Sequence, residues 1–338
     1  MAAPGADGVV IDALQYSNWD RALFEEWRDG GLDAVHVTVA YWETARETLS
    51  RIGRWHQLFR RHAALIRPAQ SAADILAAKA EGRTAVILGA QNCSPIEDDI
   101  ELVSVFRAAG LMIMQLTYNN QSLIGAGCYE AEDAGLTRFG RKVVAEMNRV
   151  GMVIDLSHSH ERTSREAIDL SSRPVAITHA NPRSFHPALR NKSDVLLKAL
   201  AERGGMLGFS LYPLHLKDGS GCTRRAFCEM VARTAELIGI DHVGLGTDLC
   251  RNFGYAELEW MRSGRWTLEA DHGESSAAKP AWPDQPAWYR SPRQFPGIAE
   301  ELCAIGMTRD EAAQVMGGNW LRFFADGFAP MDAVSPGP

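Results

Sequence analysis

Three residues able to bind a metal ion or move a proton stand at the ends of short apolar runs: His158 after residues 152–157, His179 closing 174–179, and Asp248 closing 243–248. Neutral imidazole is a metal ligand that titrates near pH 7, and a carboxylate can ligate or accept a proton from water. Brought to one point, two imidazoles and a carboxylate make either a metal centre that activates water or an acid–base pocket that needs no metal. The residue types leave both open. Whether they meet depends on the elements that carry them.

Eight apolar, β-branched-rich runs recur along the chain, at residues 9–12, 34–40, 85–90, 111–117, 152–157, 174–179, 205–210 and 243–248. Near-continuous apolar strands alternating with helices predict a parallel sheet buried on both faces. Residues 19–29, 137–149 and 192–203 place apolar side chains at three-to-four spacing, as amphipathic helices do. Eight such units predict an α/β fold, a (β/α)₈ barrel whose site lies at the carboxyl ends of the strands. An open doubly wound sheet is the competing architecture, but no G-x-G-x-x-G follows the first strand to support it.

At 338 residues and 46% hydrophobic content, the chain can fill one decorated barrel, expected over residues 1–329 with a frayed tail at 330–338. A net charge of −7 without a basic stripe argues against nucleic acid as a partner. The start of the chain lacks a basic region followed by an apolar one, and no run reaches the length of a membrane span, so the expected location is cytoplasmic. The acidic run 97–101 is expected to face solvent at a helix start. Six scattered cysteines without C-x-x-C pairing fit a reducing compartment, and Cys93 and Cys250, near strand ends, read as half-buried thiols.

Two segments interrupt the alternation. Residues 125–135 form a loop long enough to reach over the barrel mouth, and residues 256–294, with Trp260, Trp266, Trp282 and Trp288, read as a lid, a subunit contact or a plain surface excursion. Of the other histidines, His36 lies within a strand with its facing open, His160 and His186 read as rim residues, and His56 and His62 as exposed.

Gly151-Met-Val-Ile-Asp-Leu-Ser-His158, Arg173-Pro-Val-Ala-Ile-Thr-His179-Ala-Asn181, Leu189-Arg-Asn191, Gly244-Leu-Gly-Thr-Asp248 and Gly317-Gly-Asn-Trp-Leu-Arg322 follow one another in the chain. In order and spacing they resemble the renal or membrane dipeptidase family of metallopeptidases, over nearly the whole sequence. The resemblance implies a (β/α)₈ barrel with a binuclear zinc site cleaving dipeptides, and by analogy a homodimer. It carries two histidine ligands onto His158 and His179, the last aspartate onto Asp248, and a substrate-carboxylate arginine onto Arg190, whose fork suits a carboxylate.

The departures from that family fall on one side of its site. Where the family has His-x-Asp after the first strand, Leu14 and Tyr16 stand; Gln91 replaces the bridging glutamate, and Tyr118 a substrate-polarising histidine. A neutral amide cannot bridge two cations as a carboxylate does. The expectation is therefore a dipeptidase-like hydrolase with one divalent ion, taken as zinc, on His158, His179 and the Gln91 carbonyl. Asp248 and Tyr118 serve as catalytic residues, and Arg190, Tyr16, Asn119 and Tyr212 hold a small carboxylate-bearing substrate. The alternatives are a metal-free acid–base enzyme and an inactive barrel used for binding.

Overall fold

The structure is a computed structural model that describes residues 8–265, 270, 272–279 and 281–331. Trp266 and the proline-rich end from residue 332 lie outside the described residues.

Ten strands form one sheet: β1 (Ile11–Ser17), β2 (Ala34–Ala40), β3 (Ile66–Pro68), β4 (Thr84–Ala90), β5 (Leu111–Gln115), β6 (Val153–Asp155), β7 (Ala176–Ala180), β8 (Met206–Phe209), β9 (Val243–Leu245) and β10 (Leu249–Arg251). Every pairing is parallel, in the order β10-β1-β2-β4-β5-β6-β7-β8-β9, with β3 beside β4 off that path. The curled parallel sheet with helices between its strands is a (β/α)₈ barrel. The helical patterns at 19–29, 137–149 and 192–203 fold as Arg21–Asp29, Arg138–Val150 and Asp194–Glu202. Each is started by a side-chain cap from Asp20, Thr137 or Ser193. No helix among the described residues is long and apolar enough to cross a membrane.

The barrel closes in a way the apolar runs do not show. The eighth run, 243–248, yields one strand that stops at Leu245, and a second strand starts just beyond the run at Leu249: β9 pairs with β8 and β10 with β1. Gly246 N–H donates to Phe209 and Asp248 N–H to Leu14, so the break straddles the seam. Asp12 locks it, accepting from Thr247 N at 2.8 Å and Thr247 Oγ1 at 2.6 Å. The first strand also runs further than its apolar stretch, to Ser17 rather than Asp12. Its polar Gln15 is satisfied inside, donating to Asp12 Oδ2 at 2.7 Å and accepting from Trp27 Nε1 at 2.8 Å, so polarity hid a buried strand.

Small inward residues at the amino end of the strands, Ala13, Ala34, Ala85 and Ala176, leave room for a plug of Trp320, Phe323, Phe324 and Phe328. A Cβ on Gly208 or Gly244 would press on the Trp320 ring, whose Nε1 donates to Leu245 O at 3.0 Å. Trp320→Ala is expected to cost about 3–5 kcal/mol, lost burial plus a cavity that rigid strands cannot close. Urea unfolding with an unchanged m-value checks it. A cost under 1 kcal/mol would mean that the plug does not support the barrel.

Candidate active site

The carboxyl ends of the strands open into a cleft of ≈ 580 Å³. Its lining includes Tyr16, Gln91, Tyr118, Asn119, His158, Arg190, Tyr212 and Asp248, so eight of the nine residues named from the sequence line it. The ninth, His179, lies just beneath, fully buried.

His158 and His179 are brought together by β6 and β7. Their Nε2 atoms face each other at 3.1 Å. His158 Nδ1 lies 2.6 Å from Asn119 Oδ1, an oxygen that can only accept, so that nitrogen carries the proton. Thr178 Oγ1 is 2.6 Å from Asp155 Oδ2 and gives its hydrogen there, so it accepts from His179 Nδ1 at 2.8 Å. Both Nε2 atoms are left with bare lone pairs aimed at one point. Asp155 anchors this arrangement by also accepting from Ser157 N, Ser157 Oγ, Thr178 N and Gln115 Nε2. Burial, together with the charge of Arg190, holds both imidazoles well below the usual histidine range, so they are neutral at pH 7.

Asp248 sits in the same cleft with φ 59°, a left-handed backbone that aspartate tolerates. Burial pushes its carboxyl up to about 7, against the opposing pull of Arg190 and with help from Asp12 and Asp155. Among the described residues no group of three or more His, Cys, Asp and Glu side chains could hold a metal ion. Gln91 donates its Nε2 to Thr38 Oγ1 at 2.7 Å, which commits the amide nitrogen and leaves the carbonyl oxygen as what it can offer a cation.

Arg190 corrects a simple expectation. Its guanidinium is fully buried and donates Nη1 to Ser157 O and Nη2 to His179 O, tying together the two strand ends that carry the histidines. The fork is therefore partly spent on the backbone, and a bidentate grip on a substrate carboxylate is not what it presents. Its Nε is buried and has no partner among the described residues.

The model of one protein family, membrane dipeptidase (peptidase family M19), matches residues 17–260. The chain belongs to this family. A dipeptidase of Aspergillus oryzae, aclJ, is 27% identical over 291 residues, 84% of this chain and 62% of that protein. Dipeptidase tcpJ of Claviceps purpurea is 29% identical over 219 residues, 64% of this chain and 50% of its own length. The chain thus spans about half to three fifths of the curated relatives it matches. Among solved structures, an amidohydrolase from Pseudomonas aeruginosa superposes with a TM-score of 0.92 at 37% identity, over 97% of this chain and 99% of that one. A metallopeptidase from Rhodobacter sphaeroides, bound to a phosphinate mimic of L-Ala-D-Ala, shares the fold with a TM-score of 0.76 at 18% identity, over 94% and 99%.

The positions where this member departs from the family are filled with rings and apolar surface. Leu14 is buried within β1, Tyr16 lines the cleft, and Tyr118 stacks on His158 with centroids 4.3 Å apart. Tyr129 of the loop at 125–135 lines the cleft, as do Met261, Glu274 and Trp282 from the stretch after β10, with Glu274 accepting from Arg190 N. Cys93 is buried with its thiol pushed up to about 11, an unreactive state.

Sequence reading passed over His215, which lines the cleft fully shielded, its Nδ1 3.3 Å from Ser210 Oγ. Its place just after β8, at a strand end, was the available signal. Lys192 was also missed; burial brings its amine down to about 7. His36 points into the lumen, its Nδ1 2.6 Å from Ala13 O and its Nε2 where a Cβ on Gly89 would stand. His160 caps the helix Glu161–Leu170 beside Asp133, and His56 is exposed. His62 is half-buried against Phe24 rather than exposed.

Proposed function

We propose that this protein is a dipeptidase-like hydrolase of small carboxylate-bearing amides or dipeptides, working with one divalent metal ion, taken as zinc, between His158 and His179. The supporting observation is the pair of bare Nε2 atoms 3.1 Å apart. Two imidazole ligands of a tetrahedral ion stand about 3.3 Å from each other, so the pair needs little movement to hold one. A binuclear centre does not fit. Leu14 offers no donor, Tyr16 stands where an aspartate would, and the Gln91 amide cannot neutralise a second cation.

When bound, such an ion supplies Lewis acidity that polarises a carbonyl and lowers the pKa of water. The chain's own residues do the rest. Asp248, poised near pH 7, accepts the proton from water. Asn119 fixes the His158 ring through Nδ1, and Tyr118 stacked on it keeps the ring from turning. Arg190 holds the two strand ends in place, and its buried Nε, without a partner among the described residues, is the donor left for a substrate carboxylate. A shared proton between the histidines is the metal-free alternative. It is disfavoured because both imidazoles bind protons weakly here, while a neutral lone pair is what a metal requires.

The test is metal content per chain by plasma mass spectrometry on protein purified without chelators, alongside a screen of dipeptides and N-acyl amino acids. About one equivalent of divalent ion, lost in His158→Ala/His179→Ala, is expected. No metal in active protein would sink the metal-dependent reading, and two equivalents would mean that the substituted positions still ligate.

A further inference from the structure

The cleft carries more aromatic surface than cleaving an amide requires, and the rings are continuous. Tyr212 packs on Trp282 with centroids 6.4 Å apart at 85°, Trp282 on Tyr16 at 5.9 Å and 45°, Tyr16 on Tyr41 at 6.3 Å and 86°, and Tyr41 on Tyr118 at 5.5 Å and 72°. Such inclinations make walls rather than a stack. Tyr16, Tyr118, Tyr212 and Trp282 line the cleft together with the carboxylates Asp248 and Glu274 and the guanidinium of Arg262. Tyr16, Tyr118 and Tyr212 share the cleft lining with Asp248, and Tyr41 packs behind Tyr16 and Tyr118.

A box of electron-rich rings around a carboxylate is the chemistry that recognises an organic cation. A neutral apolar group would add no counter-charge to a buried carboxylate that has only Ser210 and the charge of Arg190 among the described residues to offset its burial, which is costly. A primary ammonium would bring three N–H donors to walls made mostly of ring surface. An alkylated ammonium needs no directed acceptors and gains from every ring. Arg190, fully buried in the same lining, has no partner for its Nε among the described residues, a feature that points to an anionic group of the same ligand.

We propose that the substrate carries an N-alkylated ammonium group, seated among Tyr16, Tyr212 and Trp282 with Asp248 as its counter-charge, and a carboxylate on the Arg190 side. This rests on the hydrolase reading for what is done to the substrate. The recognition itself is separable, because rings now occupy the side of the site where the family's first metal is lost.

The experiment is calorimetric titration of the full chain with N,N,N-trimethylglycine and with 3,3-dimethylbutyrate, which has the same shape and carboxylate but carbon in place of the charged nitrogen. Trimethylglycine is expected to bind at least tenfold more tightly. Trp282→Leu and Tyr212→Leu, at half-buried positions whose truncation leaves the barrel core untouched, are expected to reduce that preference to threefold or less. Asp248→Asn is expected to weaken trimethylglycine at least tenfold and the isostere little. Equal affinities, binding of neither compound, or a preference unchanged in the variants would overturn the proposal. Metal content of the same sample reads the hydrolase proposal independently. Metal without cation preference would remove the cage alone, and cation preference without metal would remove the metal-dependent mechanism alone.

Discussion

Asp248→Asn is expected to abolish turnover and raise the melting temperature of the same molecule. The carboxyl is buried and pushed up to about 7 from the ordinary aspartate value of 3.8, so folding favours its protonated form. The sign follows from linkage. Between pH 4 and 7 the native state holds a proton that the unfolded state has released, and stability falls as pH rises through that window. Above pH 7 the loss is complete and amounts to about 4 kcal/mol. Asparagine removes the charge and accepts the left-handed backbone at this position. At pH 8, after chelation, a gain of several degrees in Tm is expected, falling to less than half of that at pH 5 and toward zero only below pH 4, where the unfolded state also holds the proton. Without a proton acceptor, kcat should drop about 10²–10⁴-fold, and the activity limb near pH 7 should vanish. Scanning calorimetry at the two pH values and a pH–rate profile check both halves. A lower Tm at pH 8 would show that the carboxylate is stabilised by a partner rather than strained by burial.

The second large effect belongs to the histidine pair. His158→Ala and His179→Ala are each expected to lower kcat/KM by about 10³-fold or more, and the double variant to be no worse than either single one. Groups that act as one unit lose their whole contribution when either is removed, so the effects do not multiply. The barrel should survive, because Arg190 bonds to the backbone carbonyls of Ser157 and His179, which alanine retains. Steady-state kinetics of the three variants, with circular dichroism for folding, decide the matter. Losses that multiply in the double variant would assign the imidazoles independent roles and dissolve the shared site.

The catalytic candidates were legible because of where strands end. In a parallel barrel the pleat carries a residue just past an apolar run to the mouth, so His158, His179 and Asp248 could be placed from runs alone. Gln91 and Tyr118 were legible as departures from a family pattern, since the pattern fixed their positions and the residue types showed the change. His215 was not, because it follows β8 through a short irregular turn that no periodicity marks. Arg190 was located in the cleft but only half understood. Its residue type advertises a carboxylate ligand, whereas two of its donors are taken by carbonyls contributed by distant parts of the chain.

By itself the sequence determined the alternation of buried strands and amphipathic helices, and hence the barrel, because apolar periodicity and helix caps are local. It also determined which residues stand at the positions that depart from the family resemblance, Leu14, Tyr16, Gln91 and Tyr118, since that is a matter of residue identity. Only the tertiary structure decided that the bare nitrogens of the two histidines face each other, that Asp12 closes the seam through Thr247, and that Tyr16, Tyr118, Tyr212 and Trp282 share a cleft with Asp248. These are through-space relations between residues up to 235 positions apart in the chain. Burial, which sets the proton affinity of Asp248 and the neutrality of the imidazoles, likewise exists only once the strands have closed.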